Sequence, residues 1–184
     1  SIAAFIAEPI TGASGVIVPP EGYYQKVQAV LERYGIMFWA DEVITGFGRT
    51  GNDFGCATMG IEAPDMMSFA KQLSSAYMPI SAAAIRRDVY DSMIDQSANA
   101  GVFGHGYTYS GHPVGAAAAL ACMDELITQQ VQVNAAARGT EFYEGLVRLK
   151  EKYEVVGDVR GGHGLMAGIE LVQDRDAKTP MPKQ

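Results

Sequence analysis

Three charged side chains stand where short, mostly apolar runs of the sequence end. Glu8, Asp41 and Lys71 each follow directly on such a run. Ligands of open α/β sheets bind at the carboxyl ends of the strands, so each of these positions is a candidate for chemistry. A charge at a strand end is also an ordinary way for a chain to meet water. Three charges at one edge are harder to explain by solvation alone.

A lysine that shares an edge with carboxylates suits an electrophilic aromatic cofactor better than a metal ion. An amine can form a Schiff base with a carbonyl, and an acid can hold a protonated ring nitrogen. The sequence has no GxSxG, HExxH or P-loop lysine motif. Its histidines, His105, His112 and His163, show no ligand spacing. We therefore expect no metal site.

The segment GFGRTG at residues 46–51 matches the GxGxxG pattern of dinucleotide-binding loops. In such proteins the loop leaves its strand at once and enters a helix, and an acidic residue about 20 positions later ends the next strand. Here five residues separate Ala40 from the loop, and Asp65 precedes its strand. We therefore interpret the glycines as a tight loop that Arg49 holds in place.

A second glycine-rich segment, residues 104–113, immediately precedes a predicted helix. Its hydroxyls, its backbone N–H groups and the positive end of the helix could bind a phosphate. The alternative is an ordinary capping loop with Pro113 in the first helical turn. The residues by themselves leave both interpretations open.

The elements that carry these residues indicate an α/β fold. Short apolar runs alternate with longer amphipathic segments, as expected of a parallel sheet covered by helices. If the connections are crossovers, the four strands present their carboxyl ends at one edge. From residue 155, glycine-rich turns are expected to precede one further strand, residues 165–172. The other predicted strands are 2–7, 36–40, 66–70 and 80–85, and the predicted helices are 23–34 closed by Gly35, 113–129 and 133–153.

Composition excludes several classes of protein. The 184 residues are 48% hydrophobic and carry a formal charge of −7, which is the wrong sign for a nucleic-acid partner. The longest nearly apolar stretch, residues 114–123, is shorter than the roughly 20 residues that cross a bilayer. Two cysteines without CxxC spacing fit a reducing cytoplasm.

Because an apolar run begins directly after Ser1, we expect the chain to be a fragment.

Five segments resemble, in order, the motifs of the class III aminotransferases, pyridoxal-phosphate enzymes of fold type I. The resemblance implies a three-layer α/β/α fold. Residues 1–130 would be the C-terminal part of the large cofactor domain, and residues 131–184 the start of the C-terminal small domain. The segments are AEPITGASGVIVPPEGYY (7–24), ADEVITGFGRTG (40–51), SFAKQLSSAYMPISA (68–82), HGYTYSGHPVGAAAAL (105–120) and DVRGGHGLMAGIELV (158–172).

The resemblance also implies roles for individual residues. Lys71 is similar to the lysine that binds pyridoxal 5′-phosphate covalently, and Asp41 to the carboxylate that pairs with the pyridine nitrogen. Val43 resembles the apolar residue packed on one ring face. Thr108 resembles the residue that reaches the cofactor phosphate of the neighbouring subunit, which implies a homodimer with a shared active site. Glu8 resembles a glutamate on the substrate side.

The side chains of Asp41 and Lys71 have the chemical properties that these roles require. An anionic Asp41 favours a protonated pyridine ring, which withdraws electrons from the substrate carbon. Lys71, once displaced by the substrate amine, is placed to carry a proton between substrate and cofactor. The residue would therefore serve as anchor, acid and base.

Two positions bear on the substrate. Many relatives have Gln where Ile44 stands and Gly where Gln72 stands. Ile44 with the GFGRTG loop resembles the branch that transfers amino groups from ω-amino acids and amines to keto acids such as pyruvate, rather than the ornithine or 4-aminobutyrate branches. An aminomutase, racemase or decarboxylase of the same fold, or a non-catalytic fragment, is the alternative, because Lys71 and Asp41 would serve all these enzymes.

Overall fold

The computed structural model describes residues 1–182, which form a four-stranded mixed sheet, a three-stranded antiparallel sheet and five α-helices. The strands are β1 (Ala4–Ala7), β2 (Met37–Asp41), β3 (Met66–Phe69), β4 (Ala82–Ile85), β5 (Val156–His163), β6 (Met166–Asp174) and β7 (Thr179–Pro180). The helices are α1 (Tyr23–Tyr34), α2 (Gly55–Met59), α3 (Arg87–Ala100), α4 (Pro113–Thr128) and α5 (Val131–Lys152). Within these residues no helix is both long and apolar enough to span a bilayer.

The larger sheet has the order β1-β2-β3-β4, and its first three strands are parallel as predicted. Strand β4 runs antiparallel to β3, with Ala82 opposite Phe69, so the expectation of four parallel strands was wrong. The connection from β3 to β4 contains only a 3-10 turn at Lys71–Leu73. A parallel neighbour needs a longer crossover, usually a helix, and an antiparallel strand does not.

One face of this sheet carries the core. Tyr24 and Leu31 of α1 pack there with Phe38 and Ala40 of β2. Helix α1 spans the predicted residues and ends at Gly35, whose φ of 61° suits a glycine cap. Since side chains alternate along a strand, Asp41 points to the face opposite Ala40.

The segment from residue 155 is a strand, β5, where turns were expected. Its glycines serve close packing rather than chain reversal. A Cβ at Gly157 would lie 2.6 Å from the side chain of Val172 on β6, and one at Gly161 would collide with the main chain of Met166. Register shifts beside both glycines mark bulges in the β5–β6 ladder.

Helices α4 and α5 are separated by Gln129 and Gln130, and α5 packs against β5. The predicted domain boundary between residues 130 and 131 coincides with this break and stays a prediction. The turn between β5 and β6 also contacts the first half of the chain, because the Leu165 N–H donates to the carbonyl oxygen of Arg49 at 3.0 Å. Contact with that half therefore fixes the position of the hairpin.

Candidate active site

The three charged residues of the strand ends lie at one edge of the larger sheet. Glu8 follows β1, Asp41 is the last residue of β2, and Lys71 begins the turn two residues after β3. The three strands are parallel neighbours, and adjacent strands lie about 4.8 Å apart. The topology therefore brings the two carboxylates and the amine to neighbouring strand ends.

The carboxylate of Asp41 has one oxygen available. Its Oδ1 accepts a hydrogen bond from the N–H of Val43 at 3.1 Å, while Oδ2 accepts none from residues 1–182. Asp41 is half-buried, and Val43 lies in the turn immediately after the strand. This arrangement orients the carboxylate and leaves an acceptor for a protonated ring nitrogen, so Asp41 fits the cofactor role that the resemblance implies.

Lys71 stands at the start of a short turn with unusual backbone geometry. Its φ is 45°, in the left-handed region that non-glycine residues rarely adopt. The turn is closed by hydrogen bonds from Leu73 N–H to Ala70 O at 3.0 Å and from Ser74 N–H to Lys71 O at 3.2 Å. The Lys71 side chain is exposed and its amine forms no ion pair or hydrogen bond with the described residues. The amine is therefore available for covalent chemistry.

Glu8 and Asp41 line the same cavity, of about 580 Å³. The Oε2 atom of Glu8 accepts the Gly12 N–H at 2.8 Å, which holds the carboxylate against the following loop. The main-chain carbonyl of Glu8 accepts a hydrogen bond from the hydroxyl of Tyr24. Burial, the largest effect, raises the pKa of Tyr24 to about 12. Both main chain and side chain of Glu8 are thus held in place.

Glu42 is the residue of this site whose role sequence reasoning missed. It is fully buried. Its Oε1 accepts from Cys56 N at 2.7 Å, and its Oε2 accepts from Gly55 N at 2.9 Å and from the Thr45 hydroxyl at 2.5 Å. Glu42 therefore joins the end of β2 to the start of α2. The sequence signal for this role is that Glu42 directly follows Asp41 at the end of a strand. Because adjacent side chains point to opposite faces of a sheet, only one of the two carboxylates can face the cofactor side, and the other faces the core.

The same environment makes Cys56 a structural thiol. Burial first, and the neighbouring Glu42 carboxylate second, raise the pKa of the Cys56 thiol well above its usual range. A thiol that stays protonated near neutral pH is a poor nucleophile. Cys56 therefore belongs to the packing of α2 and not to the chemistry of the site.

The GFGRTG segment is a tight loop, as interpreted from the sequence. Gly48 and Gly51 have φ values of 90° and 88°, which suit glycine. With the Gln72 amide oxygen oriented toward it, the Arg49 guanidinium donates to that oxygen from Nε at 2.9 Å and from Nη2 at 3.0 Å. The loop is thereby connected to the residue that follows Lys71.

The segment before α4 forms a helix cap, which is one of the two interpretations that the sequence left open. His112 is the N-cap residue, its Nδ1 accepts the Val114 N–H at 3.2 Å, and Pro113 occupies the first turn. Thr108 lies in the exposed turn before this cap. No hydrogen bond among residues 1–182 joins Thr108 to Asp41 or Lys71. Its role toward a phosphate stays a prediction.

No group of three or more His, Cys, Asp or Glu side chains in the described part of the chain could hold a metal ion. The candidate site at the strand ends consists of the Lys71 amine, the carboxylates of Glu8 and Asp41, and the apolar side chain of Val43. The aminotransferase class-III family model matches residues 1–183. The chain belongs to the class III aminotransferases.

Curated relatives agree with this membership. The chain is 49% identical to the uncharacterized aminotransferase y4uB of Sinorhizobium fredii over 97% of its own length and 38% of that protein. It is 45% identical to the chloroplastic gamma aminobutyrate transaminase 3 of Solanum lycopersicum, over its full length and 35% of that protein. This class III aminotransferase chain thus spans well under half the length of these relatives.

Solved structures match the fold. The omega transaminase of Pseudomonas jessenii in complex with PMP is similar at a TM-score of 0.91 and 47% identity, with 99% of this chain and 40% of that chain covered. A six-fold mutant of the thermostable enzyme from the same organism is similar at a TM-score of 0.91 and 48% identity, over 98% and 39% of the two chains. This similarity confirms the predicted α/β fold of the type I pyridoxal-phosphate enzymes.

Proposed function

We propose that the complete protein is a pyridoxal-phosphate-dependent aminotransferase that transfers an amino group from an ω-amino acid or amine to a keto acid such as pyruvate. The observation that carries the proposal is the pair of available groups at neighbouring strand ends. Asp41 has a carboxylate oxygen without a partner among the described residues, and Lys71 has an amine without one. Membership of the class III aminotransferases supports the same conclusion.

The residues present fit the cofactor. Asp41 would hold a proton on the ring nitrogen, since its free oxygen can accept that hydrogen bond as an anion. Val43 would pack on one face of the ring, and Lys71 would anchor the group covalently. When bound, pyridoxal phosphate supplies an electron-accepting ring that delocalises charge from the substrate carbon.

Lys71 would also move the proton of the reaction. With its amine released by the substrate amine, Lys71 would accept the proton of the substrate carbon as a general base and would later give that proton up as a general acid. Glu8, held by the Gly12 N–H beside the cavity it shares with Asp41, would lie on the substrate side. A keto acid would be the acceptor of the amino group, so that the overall reaction would exchange an amine for a ketone.

We propose a homodimer in which Thr108 contacts the cofactor phosphate of the neighbouring subunit. Exposure of Thr108 and its distance along the chain from the strand ends are compatible with this role. Sedimentation velocity of the complete protein would test the dimer, and an active monomer would contradict a shared site.

The decisive experiment compares lysine variants of the complete protein. We expect borohydride to trap pyridoxal phosphate on Lys71, and Lys71→Ala to abolish both the trapped peptide and the visible absorption band. Lys26→Ala, which removes an exposed lysine of α1, is the matched control. A trapped cofactor that persists in Lys71→Ala would overturn the assignment.

Product analysis separates transamination from the related outcomes. With an amine donor and pyruvate, an aminotransferase accumulates alanine and the ketone or aldehyde of the donor in equal amounts. Carbon dioxide, an inverted amino acid or an amino acid with a shifted amine would instead identify a decarboxylase, racemase or aminomutase. 4-Aminobutyrate belongs among the donors tested, because a relative is named as its transaminase.

The compartment proposed is the cytoplasm. Cys56 and Cys122 are both free, as thiols are in a reducing compartment. The Solanum relative carries the designation chloroplastic. Fractionation of the source cells tests the proposal, and recovery of the protein in an organelle would contradict it.

A further inference from the structure

The side chain of Gln72 connects the lysine turn, defined as residues 70–76, to the GFGRTG loop. With the amide oriented so that its oxygen faces Arg49, which is the orientation that satisfies both side chains, this oxygen accepts two hydrogen bonds from Arg49, at 2.9 Å from Nε and 3.0 Å from Nη2. Hydrogen bonds from a charged guanidinium are stronger than neutral ones, and two donors on one planar group fix direction as well as distance. Gln72 follows Lys71 directly, so this contact acts on the backbone that carries the amine.

Arg49 is itself held firmly. Its main-chain carbonyl accepts the Leu165 N–H of the β5–β6 turn at 3.0 Å. The next residue, Thr50, is buried and shares a hydrogen bond of 2.7 Å with the hydroxyl of Thr58. Because hydrogen bonds hold both the main chain of Arg49 and the side chain of Thr50, Arg49 can restrain Gln72 instead of following its motion.

The lysine turn needs such a restraint. Lys71, Ser75 and Ala76 all have positive φ values, of 45°, 49° and 66°. Each such conformation in a non-glycine residue costs about 1–2 kcal/mol and persists only where the surroundings impose it. The buried side chain of Leu73 holds the inner side of the turn. The outer side is held by the contact between Gln72 and Arg49.

We propose that Gln72 and Arg49 are positioning residues that hold the lysine turn in the geometry in which the Lys71 amine faces the cofactor. Neither residue is assigned contact with substrate or cofactor, and both act through Lys71. The inference rests on the proposed function in one respect, namely that Lys71 binds the cofactor. The restraint on the turn itself is independent of any cofactor.

The test uses three variants of the complete protein. Gln72→Met keeps the length of the side chain and removes the acceptor, whereas Gln72→Glu keeps an acceptor for Arg49. Gln25→Met is the matched control, because the Gln25 amide also forms hydrogen bonds with residues distant in the chain, to the carbonyls of Met59 and Gly60, and contacts neither Arg49 nor the lysine turn in the hydrogen bonds of residues 1–182. All three are measured beside the parent protein.

The first measurement needs no cofactor. Hydrogen–deuterium exchange of the apoprotein is followed in the peptide that spans the lysine turn. We expect Gln72→Met to raise the exchange rate there about tenfold, as loss of a charge-assisted contact predicts, and Gln72→Glu and Gln25→Met to match the parent. The proposal would be overturned if the exchange rate of the lysine turn were unchanged in Gln72→Met, or if it rose as much in Gln72→Glu as in Gln72→Met.

The second measurement uses the protein loaded with pyridoxal phosphate. The absorption of the lysine–cofactor linkage is titrated with pH, and kcat and KM are measured. We expect Gln72→Met to shift the titration midpoint and to lower kcat about tenfold, with KM within about twofold of the parent. Gln72→Met and Gln25→Met leave the charge unchanged, so a shift confined to Gln72→Met reports geometry. The same midpoint in both would contradict positioning.

Two further outcomes distinguish failure of the proposed function from failure of the positioning role of Gln72 and Arg49. If the parent shows no lysine–cofactor absorption, the proposed function fails while the exchange measurement still decides whether the turn is restrained. If Gln72→Met does not fold, Arg49→Lys replaces it, because lysine keeps the charge and cannot reproduce the paired Nε and Nη2 donors. Faster exchange of the lysine turn in Arg49→Lys then supports the proposal, and parental exchange overturns it.

Discussion

Asp41 on β2 and Ser68 on β3 are register partners, and Lys71 lies three residues beyond Ser68. The indole N–H of Trp39, two residues before Asp41 on the same face, donates to the Ser68 hydroxyl at 2.7 Å. This cross-strand bond fixes the register of the two strands next to the candidate site. The sheet therefore fixes the position of Asp41 relative to Ser68, and the lysine turn that follows β3 carries the amine of Lys71.

Asp41→Asn should remove the negative charge of Asp41 while keeping its hydrogen bond to the Val43 N–H. Asparagine keeps an oxygen for the Val43 N–H, so the turn after β2 is expected to persist. It removes the anion that favours a protonated ring, and kcat should fall by about 100-fold or more. Steady-state kinetics of the loaded enzyme measure the effect. Asp53→Asn, an exposed aspartate of the adjacent loop, is the control, and equal kcat values in both would contradict the role of Asp41.

Glu42→Gln should destabilise the protein. The carboxylate of Glu42 accepts from two backbone N–H groups and one hydroxyl, and a glutamine amide would set its own N–H₂ against one of these donors. We expect a loss of about 2 kcal/mol in the free energy of unfolding. Urea denaturation of the complete protein measures it. Glu62→Gln replaces an exposed glutamate as the comparison and should leave the midpoint unchanged.

Cys56 should resist alkylation in the native protein. Burial and the neighbouring Glu42 raise the pKa of its thiol, so the thiolate stays scarce as the pH rises past the ordinary cysteine value of about 8.5. Mass spectrometry after iodoacetamide treatment at about pH 9 should find Cys56 unmodified. The same treatment in guanidinium, where Cys56 and Cys122 are both exposed, is the control. Rapid native labelling of Cys56 would disprove the prediction.

Tyr24 should make the folded state sensitive to alkaline pH. Burial raises the pKa of Tyr24 to about 12, whereas an exposed tyrosine in the unfolded chain ionises near 10. A group with a raised folded pKa stabilises the fold below the unfolded value and loses that contribution as the pH rises through the folded value. Stability should therefore decline between about pH 10 and 12, and less steeply in Tyr24→Phe.

Unfolding curves across that pH range provide the measurement for Tyr24. Tyr34→Phe, which alters an exposed tyrosine at the end of α1, should retain the slope of the parent. Tyr24→Phe also removes the hydrogen bond to the Glu8 carbonyl, so a loss of about 1 kcal/mol is expected at neutral pH. A parental slope in Tyr24→Phe would show that another group controls alkaline unfolding.

Local patterns were sufficient for several elements. Helix α1 follows from its periodic apolar residues and from Gly35, because a left-handed cap is a property of that one residue. Strands β1 to β3 follow from short apolar runs, and the family motifs supplied the predictions for Lys71 and Asp41. Strand β4 was placed correctly along the chain, but its direction depends on a connection that has no crossover helix.

Other features were invisible before the chain was folded. The glycines of β5 were interpreted as turns, because their close packing against Val172 and Met166 involves residues brought near only by the sheet. Helix α3 was not predicted, and all of its residues lie on or near the surface. The burial of Glu42 and the contact between Arg49 and Gln72 depend on the course of the loops.

The amino-acid sequence by itself determined which chemical groups this protein carries and where along the chain they follow strands, because residue type and local periodicity are properties of short segments. Only the tertiary structure decided which groups meet. Parallel pairing brings Glu8, Asp41 and Lys71 to one edge, and loop packing places Arg49 against Gln72. Such contacts join residues far apart in the chain, so they depend on the strand register and loop packing of the whole fold.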